Sequence, residues 1–462
     1  MLQKEKTLNK NEILDELSTA LTAGNLYKSY IFPINKINSK ALIKSAKEKK
    51  NKFLYWRKPS EDFAFLALSS ILELTGENNK LLIEEVDNVK TNLMSNLPDF
   101  DEKRFPLIVG GVKFNELPNS EDWGDFKYHD WFLPRANFIL INGKYFVIIN
   151  SLPNEIFPEV KDEIEEILDI AFSKVSVKNS DKSKTPKIRK NGNHDKIVWE
   201  KRITEALRLI LNDELDKIVI SRFVNHTLDV EPDYHGILSE LSSSFPYCTI
   251  FGFHSGNSFF FGATPETLFT VYNSELETDA LAGSIERGKN IYEDDILANE
   301  LLSSDKNLRE HKKVVDFLIS RLEKHSVTII YKDTPKIRKL RNIQHLWTPI
   351  SAKLKKNINL LSILYDIHPT PAVCGSPQEV AFEKIPHIEN FERGLFTGVI
   401  GWFNFTDVGD FSVAIRSGLI KGKELNAYAG CGIVNGSNSD EEFLETKLKL
   451  QPVLSLFEED EY

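Results

Sequence analysis

The chain has 462 residues, with 41% apolar and 27% charged side chains, the make-up of a globular protein with room for a large core. Its 58 Lys and Arg against 68 Asp and Glu give a net charge of −10, which disfavours a nucleic-acid partner, because such proteins carry a basic face. No apolar run approaches the ~18 residues of a membrane span, and the N-terminal "MLQKEKTLNKNEILDEL" lacks the apolar centre of a signal peptide. Three widely spaced cysteines, Cys248, Cys374 and Cys431, form neither a disulfide framework nor a zinc pattern. A cytoplasmic protein in a reducing compartment, without a membrane partner, is expected.

In chain order, residues 13–24 read as a short amphipathic helix. "KFLYWRK" suggests a strand and "FAFLALSSILEL" a helix after it. "RFPLIVGGVKF", "RANFILING" and "KYFVIINSL" are β-rich, with Gly and Asn-Gly marking turns. Residues 159–172 look helical. Residues 174–195 are polar and basic, lack either period and have no interleaved aromatics, so a solvated linker or loop is expected there rather than a nucleic-acid patch. It would divide an N-terminal part, 1–173, from a second region, 196–462. In that region helices are expected over 198–212, 291–323, 440–458, and near 358–365 and 377–384, with "GILSELSSSF" a further one. "DKIVISR", "CTIFGF", "SFFFGAT", "LFTVYN", "VTIIYKD", "IQHLWTPISAKL", "FTGVIGWFNF", "FSVAIRSGLI" and "LNAYAGCGIV" read as strands. So many successive strands with turn-like links predict an α+β architecture of largely antiparallel sheets backed by helices.

The last helix carries the densest chemistry. At ~100° per residue, Glu442, Glu445 and Lys449 fall within an arc of about 60°. Ser439 and Glu442 also have capping-box spacing, and Glu445 with Lys449 that of a surface i,i+4 pair. The preceding "GCGIV", Gly430 to Val434, permits close approach to backbone N–H groups. Glu310, after the first turn of another helix, could join Glu445 and Glu442 in an open Mg²⁺ site, or simply face solvent. Lys217 begins a β-branched strand. It could be a strand-end lysine in water, or a base if a desolvated cleft lowers its pKa. Glu266 follows a Thr-Pro turn under a very apolar strand, where a carboxyl becomes a general acid if its pKa is raised. Arg416 lies in an apolar strand and requires an internal carboxylate or an anionic ligand.

Taken together, "KIVISR", "FGATPETLF", "ALAGSIERG", "LREHKKVVDFL", "QHLWTPI", "HPTPAVCGSP", "FTGVIGWFN", "AIRSGLI" and "AGCGIVNGSNSDEEFLETKLK" resemble the chorismate-utilising enzymes, and among them the isochorismate synthases. The motifs run almost continuously from residue 217 to 449; "FLYWRKP" and "PLIVGGVKF" extend the likeness weakly toward the N-terminus. The resemblance implies two packed antiparallel sheets flanked by helices in one intertwined domain. It implies Mg²⁺ on Glu310 and Glu445 with Glu442 close by, holding the ring carboxylate of chorismate. Arg416, Lys449 and the backbone of Gly430, Cys431 and Gly432 would hold the enolpyruvyl carboxylate. Gly283, Ser284, His345, Ala372 and Ile415 would line the pocket; relatives more often carry Thr at position 284.

The implied reaction moves a hydroxyl. Lys217 deprotonates a water attacking C2, Glu266 protonates the hydroxyl leaving C4, and isochorismate results. Ammonia-using relatives usually lack a lysine matching Lys217 and carry Thr at the position of Ala372, so no glutaminase subunit is expected. Salicylate synthases keep the lysine but commonly carry that Thr; they are the enzymatic alternative. A non-catalytic chorismate-binding protein would be marked by loss of Lys217, Glu266 or a metal glutamate, and all are present. Menaquinone biosynthesis is the expected route, with siderophore and salicylate pathways as competitors.

Overall fold

The computed structural model describes residues 7–95, 104–117, 122–174, 186–190, 196–339, 343–356 and 358–459. One long run of neighbouring strands passes through Tyr27–Ile34, Lys144–Ser151, His129–Ile141, Phe63–Leu74, Phe53–Lys58, Thr249–Ser255, Ser258–Thr264, Ser417–Lys421, Glu424–Val434 and Lys217–Leu228. A second run passes through Ile108–Val112, Val399–Phe403, Gly409–Val413, Thr267–Tyr272, Glu275–Glu286 and Ile343–Leu354. The two are joined by the long strand His129–Ile141, whose residues 129–132 pair with Ile108–Val112 and residues 136–141 with Lys144–Ser151. Among the described residues the parallel pairings are those of Leu93–Ser95 with Tyr27–Ile34 and of Lys187–Lys190 with Glu458–Glu459, with an isolated bridge between Leu8 and Ile34. The α+β fold of antiparallel sheets and outer helices is therefore as expected, with the refinement that the two sheets share a strand.

Burial explains the layering. Leu54, Trp56, Phe251 and Phe253 from the first run meet Val109, Ile400 and Trp402 from the second in a core between the sheets. The outer face of the first run is covered by helices including Lys10–Ala20, Ser39–Glu48, Phe157–Ala171 and Tyr234–Ser244. The outer face of the second is covered by Asn79–Thr91, Asp305–Leu322 and Leu360–Ile367. Each fully buried Phe or Leu contributes roughly 1.5–3 kcal/mol of transfer free energy. Strand Phe53–Lys58 lies against Thr249–Ser255, so the regions before and after residue 195 are interleaved within one sheet.

Four local expectations are corrected. "FAFLALSSILEL" is the strand Phe63–Leu74, not a helix. Phe63, Phe65 and Ala67 face the inter-sheet core while Leu66 and Leu68 face the helix-covered one, so both faces are apolar and the period of two is invisible. The expected helix 291–323 is two helices, Ile291–Ser303 and Asp305–Leu322, broken where the Ser304 side chain accepts the backbone N–H of Asn307. "FSVAIRSGLI" is two strands, Gly409–Val413 and Ser417–Lys421, with Arg416 in a left-handed turn at φ 53°. Within the expected linker 174–195, Lys187–Lys190 pairs with Lys217–Leu228; residues 175–185 and 191–195 lie outside the described residues. The Asn-Gly signal does mark a hairpin turn, with Asn142 at φ 50° and Gly143 at φ 74°.

Candidate active site

Every residue expected to act as acid, base, metal ligand or substrate contact lines one cavity of about 300 Å³. Its floor and walls come from far-apart segments. Strand Lys217–Leu228 pairs with Glu424–Val434 so that Val434 lies opposite Lys217 and Gly432 opposite Val219. The Lys217 side chain is buried, and its Nζ donates to Glu310 Oε1 at 2.6 Å. Gly432 makes this contact possible, since a Cβ there would lie 2.7 Å from Lys217 Cε and 3.4 Å from Glu310 Oε1. A Cβ at Gly430 would meet Ser221 Oγ at 2.5 Å. The glycines thus make room for protein atoms of the site as well as offering backbone to a ligand.

Glu310 lies in the second turn of the helix Asp305–Leu322, which starts at the Ser304 cap, and lines the cavity. Glu442, Glu445 and Lys449 come from the helix Ser439–Leu454. Its cap is Asn438, whose side chain accepts the N–H groups of Asp440 and Glu441. The Ser439–Glu442 capping box therefore does not form, and Glu442 turns inward, buried at 7% exposure. Lys449 Nζ donates to Glu445 Oε1 at 2.6 Å and to the Gly430 carbonyl at 3.0 Å. Burial and the neighbouring Glu445 push the Glu442 carboxyl above its ordinary pKa. Glu445 is lowered: burial opposes ionisation, but Lys449, Arg416 and Lys217 together prevail. Among the described residues, no group of three or more His, Cys, Asp or Glu converges as a ready metal centre.

Glu266 sits on the turn between Ser258–Thr264 and Thr267–Tyr272, its N–H donating to Thr264 Oγ1 at 3.2 Å. Desolvation raises its carboxyl to a pKa of about 7, against the pull of Lys217, Lys449 and Arg416. Arg416 is buried, its pKa lowered by desolvation although Glu445 and Glu266 oppose this. Among the described residues its guanidinium has no carboxylate within salt-bridge distance, which leaves, of the two expected partners, the anionic ligand, for which the fork is suited. Gly283, at φ 77°, forms the bulge that brings Ser284 opposite His345. The Ser284 hydroxyl and His345 Nδ1 are 2.7 Å apart. Burial, then Arg416 and Lys449, push His345 down to about 3, so its imidazole stays neutral. Cys431 is a buried thiol pushed well above its ordinary value by desolvation and the two nearby glutamates and serves as an inert wall.

Ala372 and Ile415 complete the lining. The loop of Ala372 is held by Arg393, fully buried, which donates to the carbonyls of Val373 and Val219 at 2.8 Å each and is paired with Glu389 at 2.5 Å. Sequence reasoning missed Thr397, which lines the cavity in a left-handed conformation, φ 59°, rare for a β-branched residue. Its carbonyl accepts from His368 Nε2 at 2.9 Å and its hydroxyl from Arg393 at 3.2 Å. Nothing in its sequence neighbourhood marks that conformation. Lys306, one turn before Glu310, also lines the cavity and was missed; its i−4 spacing from Glu310 was the available signal.

The profile of the family described as chorismate binding enzyme matches residues 15–458. The chain is similar to the isochorismate synthase MenF of Bacillus subtilis, 29% identical over 418 residues covering 88% of this chain and 87% of that protein. It is 30% identical over 402 residues to the salicylate biosynthesis isochorismate synthase of Pseudomonas aeruginosa, covering 86% and 83% respectively. Among solved structures, MenF, the menaquinone-specific isochorismate synthase from Escherichia coli, superposes with a TM-score of 0.80 over 97% of this chain and 99% of that one. Its identity of 22% makes this a likeness of fold.

Proposed function

The chain belongs to the chorismate-binding enzyme family, and from that premise we propose that it converts chorismate to isochorismate with Mg²⁺, in the supply of menaquinone. The observation that carries this reading is one cavity that holds a lysine and a carboxyl with a pKa of about 7 beside a buried arginine. A general acid works best with a pKa near the operating pH, and Glu266 has that value where a solvent-exposed glutamate would not. Lys217 is the base for water at C2, and Glu266 gives its proton to the hydroxyl leaving C4. Each group contributes ~10²–10⁴-fold.

Chorismate is a dianion, and the cavity answers it with two differently charged regions. Arg416 and Lys449 receive the enolpyruvyl carboxylate, the arginine through its two-pronged fork. Glu310 and Glu445, with Glu442 beside them, would hold the cation. The donor set suits Mg²⁺: hard carboxylate oxygens, of which this ion needs only one or two alongside water and substrate. Burial and, after it, the neighbouring Glu445 raise Glu442, and the repulsion between the two carboxylates is of the kind a bound cation relieves. When bound, Mg²⁺ neutralises and anchors the ring carboxylate. Ala372 supports a reaction that stops at isochorismate, because salicylate synthases commonly carry Thr there. The near full-length similarity to the Bacillus isochorismate synthase supports isochorismate as the product.

The test is product analysis of the purified protein with chorismate and Mg²⁺, with and without ammonium and EDTA. Isochorismate alone, lost on chelation, is expected. Salicylate with pyruvate, or an aminated product, would overturn the assignment from Lys217 and Ala372.

A further inference from the structure

Both carboxylates assigned to the metal are already held by ammonium groups. Lys217 Nζ is 2.6 Å from Glu310 Oε1, and Lys449 Nζ is 2.6 Å from Glu445 Oε1. The first pair joins segments 93 residues apart, with side chains only 3% and 16% exposed. The second is an i,i+4 pair at 19% and 32% exposure, and its lysine is fixed further by the Gly430 carbonyl. These same lysines have work on the substrate, as base and as anion receptor. An ammonium locked on a carboxylate receives no substrate anion, and Lys217, once released, must also pass its proton to solvent before it can take one from the attacking water.

We propose that Lys217 and Lys449 are built-in occupants of the divalent-cation site, released into the cavity when a divalent cation takes Glu310 and Glu445. The exchange is charge for charge, two ammonium groups against one dication on the same two carboxylates. The room at Gly432 stabilises the closed arrangement, because the lysine's last methylene occupies the place of a side chain there. Cation binding and substrate binding are then linked, since the freed lysines meet the incoming dianion, and the coupling is reciprocal. This inference rests on the reading of Glu310 and Glu445 as metal ligands.

The experiment is calorimetric titration of the full chain with Mg²⁺, without chorismate, comparing wild type with Lys217→Met, Lys449→Met and Lys306→Met. Lys306 lines the same cavity and its charge acts on Glu442, but among the described residues it makes no ion pair with Glu310 or Glu445. It therefore reports the general effect of removing a positive charge. Removing a charged hydrogen bond that competes with the cation should tighten Mg²⁺ binding about 10–100-fold in the first two variants, and distinctly less in Lys306→Met. Equal tightening in all three, or none in the first two, overturns the exchange. Thermal melts establish that each variant is folded. Wild-type protein gives a second reading through reductive methylation of lysines with and without Mg²⁺, followed by peptide mass spectrometry. Faster labelling of Lys217 and Lys449 relative to Lys306 is expected, and unchanged ratios overturn the proposal. The functional reading fails separately: wild type that binds no Mg²⁺, or turns over chorismate in EDTA, removes the metal site itself. Wild type that binds Mg²⁺ and makes isochorismate while the variants bind no tighter removes only the exchange.

Discussion

Replacing Glu266 by Gln should make the protein more stable at alkaline pH while removing its activity. The folded state raises this carboxyl from 4.5 to about 7. A raised carboxyl pKa means that the folded protein holds the proton more tightly than the unfolded chain, so the wild type is most stable, relative to a permanently neutral side chain, below pH 4.5. That stability is lost as pH rises toward 7 and is fully missing above it. Linkage gives a difference between variant and wild type of about 0.8 kcal/mol at pH 5 and about 3 kcal/mol at pH 8. With unfolding entropy of ~2.1 cal/mol/K per residue over 462 residues, 1 kcal/mol moves Tm by about 1 °C. Scanning calorimetry of both proteins from pH 5 to 8.5 should therefore show Glu266→Gln gaining about 1 °C at the acid end and about 3 °C at the alkaline end, while turnover falls by ~10²-fold or more. A Tm difference that does not change across this range would refute the raised pKa and with it the general-acid assignment.

In wild type, kcat/KM for chorismate should fall with rising pH through about 7 as Glu266 loses its proton; a profile flat to pH 9 would contradict it. Lys217→Ala should lower turnover ~10²–10⁴-fold while chorismate still binds by equilibrium dialysis with Mg²⁺, and unchanged turnover removes the residue from the mechanism. Gly432→Ala places a methyl 2.7 Å from Lys217 Cε. It should cost turnover far more than it costs Tm, and equal wild-type turnover would show that the lysine has slack. Ala372→Thr should introduce pyruvate release or ammonia use, read by chromatography of the products; a wholly unchanged product profile would show that position 372 does not set specificity.

The site was more legible in the sequence than the fold around it. Glu442, Glu445 and Lys449 could be grouped because helical spacing alone puts them on one face, and Glu266 could be flagged because an apolar strand precedes it. Arg416 was recognised as buried, but not as the left-handed hinge between two strands, since one residue's φ leaves no mark in an apolar run. The run from Phe63 to Leu74 was misread for a physical reason: a strand buried on both faces has no polar side to reveal its period. The break at Ser304 was missed because a serine inside a polar helix and a serine at a cap look alike until the next helix changes direction. The place of Arg393 rests on its bond to the Val219 carbonyl, 174 residues away, which local pattern does not carry, although its i,i+4 spacing from Glu389 was there to be read; the left-handed φ of Thr397 leaves no mark in the sequence.

The interleaving of the early and late strands also bears on how the protein comes into being. Strand Phe53–Lys58 waits for Thr249–Ser255, and the strand that begins at Lys217 waits for Glu424–Val434. Contacts of such long sequence separation are formed slowly, because the chain must close large loops before they bring any gain. A nascent chain that has passed residue 300 on the ribosome still exposes strand edges and has no pocket. The cavity cannot be complete before Lys449 has emerged, because that residue lines it.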